Sequence, residues 1–258
     1  MSIPQIASTT APTPRVFRAR TGQVAYGYQV GMLCAQWNIP FVPGDLNNAS
    51  TFDYPIRYVE VAGVSGAAVL RGDGAQFTSL MVEAARRLEA EGVQAITGNC
   101  GFMAVYQDDV AAAVNIPVLL SSLVQIPMLS TVIGPNRKLG VMAANSAAIT
   151  PEILAAAGVT DMDRLAVQGL QGYPHFNDVI LQESGTLDLD RMSDEVVSAA
   201  LQLQKDEPSL GAILLECSDL PPYAEAVHRA TSLPVFEWAS FIDYVHRAIA
   251  PRTFTGPF

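Results

Sequence analysis

Two cysteines stand in matched settings, Cys100 within Ala95–Phe102 (AITGNCGF) and Cys217 within Gly211–Tyr223 (GAILLECSDLPPY). Each follows a short apolar run that reads as a buried strand, and each is followed by a pattern that reads as a helix start. Gly98 and Asn99 cut off the first run. In the second, Ser218 or Asp219 can cap the next helix, and Pro221 and Pro222 suit its first turn. A thiol at such a corner meets unpaired N–H groups and the positive end of a helix dipole, which favour an anion. Free cysteines are in general small buried hydrophobes, and Cys34, inside the apolar run Val30–Ala35, fits that description and is assigned no role. For Cys100 and Cys217 the repeated context points to chemistry. Facing each other across a small ligand, one thiolate can remove a proton from carbon while the opposite thiol supplies one, and no cofactor is required.

A carbanion formed beside a carboxylate needs stabilisation. Backbone N–H groups at the two helix starts, Gly101 among them, are candidates, together with Asn99, Ser121, Ser122, Asn145, Ser146 and Ser218. Helix capping explains Ser146 and Ser218 as well as substrate contact does. The stretch Pro40–Pro55 (PFVPGDLNNASTFDYP) is rich in Pro, Gly, Asn and Asp and reads as a loop after the first strand. Such a loop can reach over the active edge, bringing Asp45, Asn47, Asn48, Ser50 and Thr51 to substrate, although turn chemistry also accounts for these residue types.

The elements that must hold these residues alternate. Strands are expected at Gln23–Ala35, Arg57–Ala62, Val93–Thr97, Ile116–Ser122, Leu139–Ala144, Leu165–Leu170, Ala212–Leu215 and Val235–Trp238. Helices are expected between most of them. The clearest is Asp73–Gly92, where Phe77, Leu80, Met81, Ala84 and Leu88 form one apolar stripe. Thr150-Pro151-Glu152 opens another, with a cap followed by proline. A polar stretch with Tyr173, His175 and Asn177 carries no such pattern. Regular alternation argues for an α/β fold with parallel sheets. Each cysteine corner is followed by a helix and then by IPV (116–118) or LPV (233–235), an echo that predicts two lobes with a cleft between them. In open α/β sheets ligands bind at that strand edge.

Composition bounds the rest. The chain has 258 residues, 50% of them apolar and 16% charged, enough for one large α/β domain or two similar lobes. A formal net charge of −10 argues against nucleic acid or an anionic membrane as partner. No apolar run is long enough for a transmembrane helix. Three cysteines, an odd number, suit a reducing compartment, and a cytoplasmic location is expected. The two lysines, Lys138 in GPNRKLG and Lys205 in LQKDEP, do not read as buried Schiff-base lysines. His175, His228 and His246 are far apart and show no metal-site spacing, so no metal is expected. Neither GxGxxG nor GxxxxGK[ST] occurs, so nucleotide binding has no support. Residues 1–21, with Pro4, Pro12 and Pro14 but no apolar h-region, read as a flexible or packing arm.

The corners GNCGF and ECSDLPPY, the strand VMAANSA between them and the βα order resemble the aspartate/glutamate racemase superfamily from about Gly22 to His246. That superfamily includes hydantoin racemases, maleate isomerases and arylmalonate decarboxylases. The resemblance implies two flavodoxin-like parallel-sheet lobes in pseudo-two-fold relation, with the active site between them. Lobe A would take 22–122 plus 237–258 and lobe B 123–236. It further implies that Cys100 and Cys217 are the catalytic acid/base pair, working without cofactor on a small carboxylate. A homo-oligomer, dimer or tetramer, is expected. Within the superfamily TGNCGFM and LLECSDLPPYAEAV are most similar to the algal dimethylsulfoniopropionate lyase branch. Gly101-Phe102 and Ser218-Asp219 replace the polar pairs usual after the cysteines of glutamate racemases. The expected reaction is proton abstraction α to a carboxylate, with racemisation or epimerisation of a small amino-acid-like substrate as the commoner outcome. The alternative is β-elimination to dimethyl sulfide and acrylate, and a further one is an inactive ligand-binding member. A sulfonium substrate would want aromatic faces or carboxylates, for which Phe102, Tyr106, Tyr223, Trp238 and Glu216 are candidates.

Overall fold

The computed structural model describes residues 16–21, 23–70 and 76–257. Its strands are β1 (Val30–Gln36), β2 (Ile56–Ser65), β3 (Ala95–Gly98), β4 (Val118–Leu119), β5 (Lys138–Ala143), β6 (Leu165–Gly169), β7 (Leu210–Leu215) and β8 (Val235–Phe236). The helices are α1 (Gly66–Leu70), α2 (Thr78–Glu91), α3 (Gln107–Ala113), α4 (Ile126–Val132), α5 (Pro151–Ala156), α6 (Pro174–Phe176), α7 (Leu189–Asp206), α8 (Ala224–Thr231) and α9 (Trp238–Ile249). Two four-stranded sheets result, in the orders β2-β1-β3-β4 and β6-β5-β7-β8, and every pairing is parallel. Counted from the first strand of each sheet, both orders are 2-1-3-4. The predicted α/β fold with two pseudo-symmetric lobes is therefore present, and the cysteines follow corresponding strands, β3 and β7.

The central strands are apolar because both of their faces are covered. β7 is buried at every position and β1 at all but its last. Local signals set the helix ends. Thr150 accepts from the Ile153 amide ahead of Pro151, Asp188 caps α7, and Glu237 accepts from the Ala239 and Ser240 amides at the start of α9. Gly92 ends α2 at φ 98°, in the left-handed region. Trp238 and Ile242 of α9 bury against Val30, Met32, Ala95 and Leu119 of the first sheet. The C-terminal helix α9 therefore packs on the first sheet. No described helix is long and apolar enough to cross a membrane.

Several expected elements are shorter. β1 starts at Val30 rather than Gln23, because Gly27 takes φ 98° and Val24 and Tyr26 face solvent. β4 keeps only two residues. On its outer edge the Gln107 side chain donates to the Val118 carbonyl at 3.0 Å and accepts from the Leu120 amide at 2.9 Å. Of the α2 stripe, Met81, Ala84 and Leu88 are buried whereas Leu80 is exposed. The expected start of that helix at Asp73 lies outside the described residues, as does most of the N-terminal arm (1–15). Tyr173–Asn177, with no pattern in the sequence, belongs to a helical segment of α6 and a π-type turn, Asn177–Leu181.

The pseudo-symmetry extends to packing. Gly31 at the centre of one sheet lies under Leu88 of α2, and Gly140 at the centre of the other lies under Leu203 of α7. A Cβ at either glycine would stand 2.8 Å from a leucine methyl. Gly31→Ala and Gly140→Ala are each expected to lower stability by about 1–3 kcal/mol through overpacking, read by urea unfolding of each variant.

Candidate active site

Each cysteine corner is built by its own lobe and closed by the other. Strand β3 ends at Gly98, where a Cβ would stand 2.7 Å from the Leu120 carbonyl oxygen and from Met103 Sδ. The Asn99 side chain then bridges to β1, accepting from the Ala35 amide at 2.9 Å and donating to its carbonyl at 3.1 Å. Cys100 follows in extended conformation, ahead of the 3-10 helix Gly101–Tyr106. In lobe B the Glu216 amide donates to the Met142 carbonyl of β5 at 2.8 Å, and Cys217 leads through Leu220 into the turn Pro221–Tyr223. Across the cleft Ser218 Oγ donates to the Asn99 carbonyl and Ser122 Oγ donates to the Glu216 carbonyl, each at 2.8 Å. The carbonyl preceding each cysteine is thus capped by a hydroxyl from the opposite lobe. The Glu216 carboxyl occupies the space that a side chain at Gly101 would need.

The electrostatics differ from the sequence expectation. Both thiols are buried, Cys100 at 6% and Cys217 at 8% exposure, and both are held above the ordinary thiol value. Burial is the main cause. Negative charge adds to it, from Glu216 and then Asp219 at Cys100, and from Asp219 and then Glu216 at Cys217. The helix start at Cys100 is a short 3-10 turn, and the Phe102 amide that favours its thiolate does not offset these effects. The Cys217 thiol donates to Asp219 Oδ2 at 3.1 Å. Asp219 in turn faces Asp45, which is 2% exposed and pushed up to about 10, first by burial and then by Asp219. Glu216 is fully buried and pushed up to about 8, by burial and then by Asp219.

The loop after β1 does reach this edge. Gly44, at φ 100°, packs against Pro222, and the Leu46 amide donates to the Ser218 carbonyl at 3.4 Å. Asp45 is thereby placed beside Asp219. A narrow pocket opens there, lined by Pro40, Val42 and Asp45 from the loop, Asp219 and Tyr223 from the second corner, Phe176 and Ile180 from the segment around α6, Leu187 just ahead of α7 and Met192 within it. The last four residues were not anticipated. The four-residue spacing of Phe176 and Ile180 was the available signal, masked by the polar residues around it.

Asp45, Asn99, Cys100, Gly101, Ser122, Cys217 and Ser218 are therefore brought to one junction. Ser121 is fully buried and accepts from the Leu123 amide as a helix cap. Asn145 accepts from the Ala147 amide, and Ser146 is paired with the Gln171 side chain at the end of β6; both are partly exposed. Of the candidates for a cation, Tyr223 lines the pocket, whereas Phe102, Tyr106 and Trp238 are packed in the core. The histidines sit in hydrogen bonds elsewhere. His175 accepts from the Asp188 amide, His228 pairs with the Leu233 carbonyl, and His246 pairs with Gln29.

No family model matches the chain. It is 32% identical over 228 residues to dimethylsulfoniopropionate lyase 5 of Emiliania huxleyi, spanning 85% of this chain but 45% of that protein. To a dimethylsulfoniopropionate lyase of Durusdinium sp. clade D it is 30% identical, over 84% of this chain and 74% of that one. Among solved structures, a sulfate-associated variant of arylmalonate decarboxylase superposes with a TM-score of 0.58 at 18% identity, covering 89% of this chain and 96% of the other. An aspartate racemase homologue from Pyrococcus horikoshii gives 0.55 at 14% identity, covering 86% and 99%. These structural likenesses establish the shared two-lobed fold, and the sequence relatives place the chain within it: the chain belongs to the dimethylsulfoniopropionate lyase family.

Proposed function

We propose that the chain is a β-elimination lyase for a sulfonium-bearing propionate of the dimethylsulfoniopropionate type, releasing dimethyl sulfide and acrylate. One observation carries this reading: Asp45 and Asp219 face each other at an apolar and aromatic pocket beside the Cys217 thiol. An acidic pair favours a cation. The cavity, about 10 Å³, must widen to admit a substrate, and its walls from Phe176, Ile180, Leu187 and Met192 would then meet a cation sheathed in methyl groups, which has no N–H to satisfy. The names of the sequence relatives favour elimination over the racemisation expected from sequence.

In this reading Cys217 is the base, and the thiol proton that it donates to Asp219 at 3.1 Å passes to that carboxylate once a cation is bound. As its thiolate it takes the proton from the carbon α to the substrate carboxylate. The electron pair left behind forms the double bond, and the bond from the β carbon to sulfur breaks with its pair going to sulfur. Dimethyl sulfide leaves neutral and without a proton, so one base suffices. Racemisation instead requires a second thiol, Cys100, to deliver a proton to the opposite face.

Proton NMR in D₂O separates the two. With dimethylsulfoniopropionate, vinyl signals of acrylate and the methyl signal of dimethyl sulfide are expected. With both enantiomers of a panel of amino acids, no deuterium is expected at Cα. Cys217→Ser is expected to lower kcat/KM for elimination by roughly 10²–10⁴-fold. Deuterium exchange at Cα of an amino acid, lost equally in Cys100→Ser and Cys217→Ser, would make the chain a racemase.

Asp45 provides a test without substrate. Its carboxyl holds its proton more tightly in the folded chain than its ordinary value of 3.8, rising to about 10. The stability this contributes is full on the acid side and is lost as pH rises from about 4 towards 10. Wild-type stability is thus expected to fall over that range. Asp45→Asn, similar in shape and unable to ionise, should flatten the slope in urea unfolding at pH 5, 7 and 9. An unchanged slope would mean that Asp45 ionises freely.

A further inference from the structure

Glu216 is the one carboxyl at the junction that the elimination chemistry does not use. It is fully buried, and among the described residues neither of its oxygens has a hydrogen-bond partner. The Ala144 amide is the only group that favours its charged form, and it falls short of hydrogen-bond geometry. The carboxyl lies across Gly101, where a Cβ would stand 1.6 Å from Oε1 and 2.4 Å from Cδ. Glycine at 101 therefore makes the seat, and that seat lies next to Cys100 in one lobe while Glu216 itself adjoins Cys217 in the other. The backbone here is tied down by Ser122, which holds the Glu216 carbonyl at 2.8 Å.

An ionised carboxylate in this position has no partner to offset its burial, so the neutral acid is the stable form near neutrality. The ionisable groups that act on it and on the two thiols are Cys100, Cys217, Asp219 and Glu216 themselves, with Tyr106 beside Cys100; no lysine, arginine or histidine is among them. A negative charge on Glu216 opposes ionisation of both thiols. We infer that Glu216 is a positioning residue of the thiol pair: seated on Gly101 between the corners, its carboxyl keeps a proton in the resting site and, on losing it, holds both cysteines in their unreactive neutral form. Ionisation of this acid therefore makes either thiolate harder to form, which blunts the rise in thiol reactivity on the alkaline side. The inference rests on the reading of Cys100 and Cys217 as the reacting thiols.

Its test reads the thiols directly. Wild type and Glu216→Gln are alkylated with iodoacetamide between pH 6 and 9, and the rates at Cys100 and Cys217 are followed by peptide mass spectrometry. Glutamine fills the same seat without a charge. The two proteins are expected to match at pH 6 and to diverge above pH 7, both thiols of Glu216→Gln reacting on the order of tenfold faster at pH 9, as one unit of thiol acidity would give. A carboxyl that merely fills space would leave the two profiles superimposed, and that result overturns the inference. If Glu216→Gln does not fold, wild type labelled with ¹³C at the glutamate carboxyls decides instead. One resonance titrating near pH 8 supports the inference, and titration of every glutamate below pH 6 overturns it. Neither readout involves substrate. Failure to eliminate dimethyl sulfide would leave an alkylation difference standing, and superimposed profiles would leave the elimination intact.

Discussion

A buried carbonyl that loses its hydrogen-bond partner costs about 1–3 kcal/mol, and two such carbonyls fix the geometry of this molecule. They belong to Asn99 and Glu216, the residues immediately before the two cysteines, and each is satisfied by a serine hydroxyl from the other lobe. Neither lobe can shift at the cleft without unpairing one of them. The other features of the junction follow from this reciprocal tie. Asn99 must reach back to Ala35 to present its carbonyl, and Gly98 must leave room for the Leu120 carbonyl. Gly101 must leave room for the acid that precedes the second cysteine.

The tie imposes a charge problem, because it buries thiols among carboxyls. A helix N-terminus stabilises an anion by typically 0.3–1 kcal/mol, which is under one unit of acidity. Burial is worth more here. Cys34, whose nearest acid, Glu60, is only a minor influence, is already pushed from 9.0 up to about 12 by burial. At Cys100 and Cys217 the neighbouring acids act in the same direction as burial. What the protein withholds from the thiols, a cation in the pocket can supply. A cation beside Asp219 would offset the part of that upward push on Cys217 that Asp219 supplies, while burial continues to act. In the proposed elimination, substrate charge and thiol ionisation would be coupled in this way, as an onium substrate allows and an anionic one does not.

The pocket also explains why the chain keeps a long loop after β1. A loop of that length contributes little to stability, but here it carries Asp45 across the cleft and seats Gly44 on Pro222. The wall opposite comes from the short helical segment around Phe176. Its N-terminal amides at His175 and Phe176 donate to the Glu195 carboxylate of α7, at 2.9 and 2.8 Å. Loop, corner and wall thus come from three separate parts of the chain and meet only at the pocket.

What the sequence by itself determined is what local chemistry controls. The alternation of strands and helices, the caps at Thr150 and Glu237 and the repeated cysteine corners are set by near neighbours in the chain. Burial of both sheet faces writes apolar runs directly into β1 and β7. The echo of IPV and LPV came from the two lobes' shared strand order. Tertiary structure decided the rest. That the Gln107 side chain would cover the outer edge of β4 depended on how α3 packs, and the fate of Tyr173–Asn177 depended on Glu195 twenty residues further on. The pairing of Asp45 with Asp219 and the seating of Glu216 on Gly101 join residues more than one hundred positions apart. The acidity of the thiols followed those pairings, because burial and through-space charge depend on which distant groups surround an atom, and no local pattern records that.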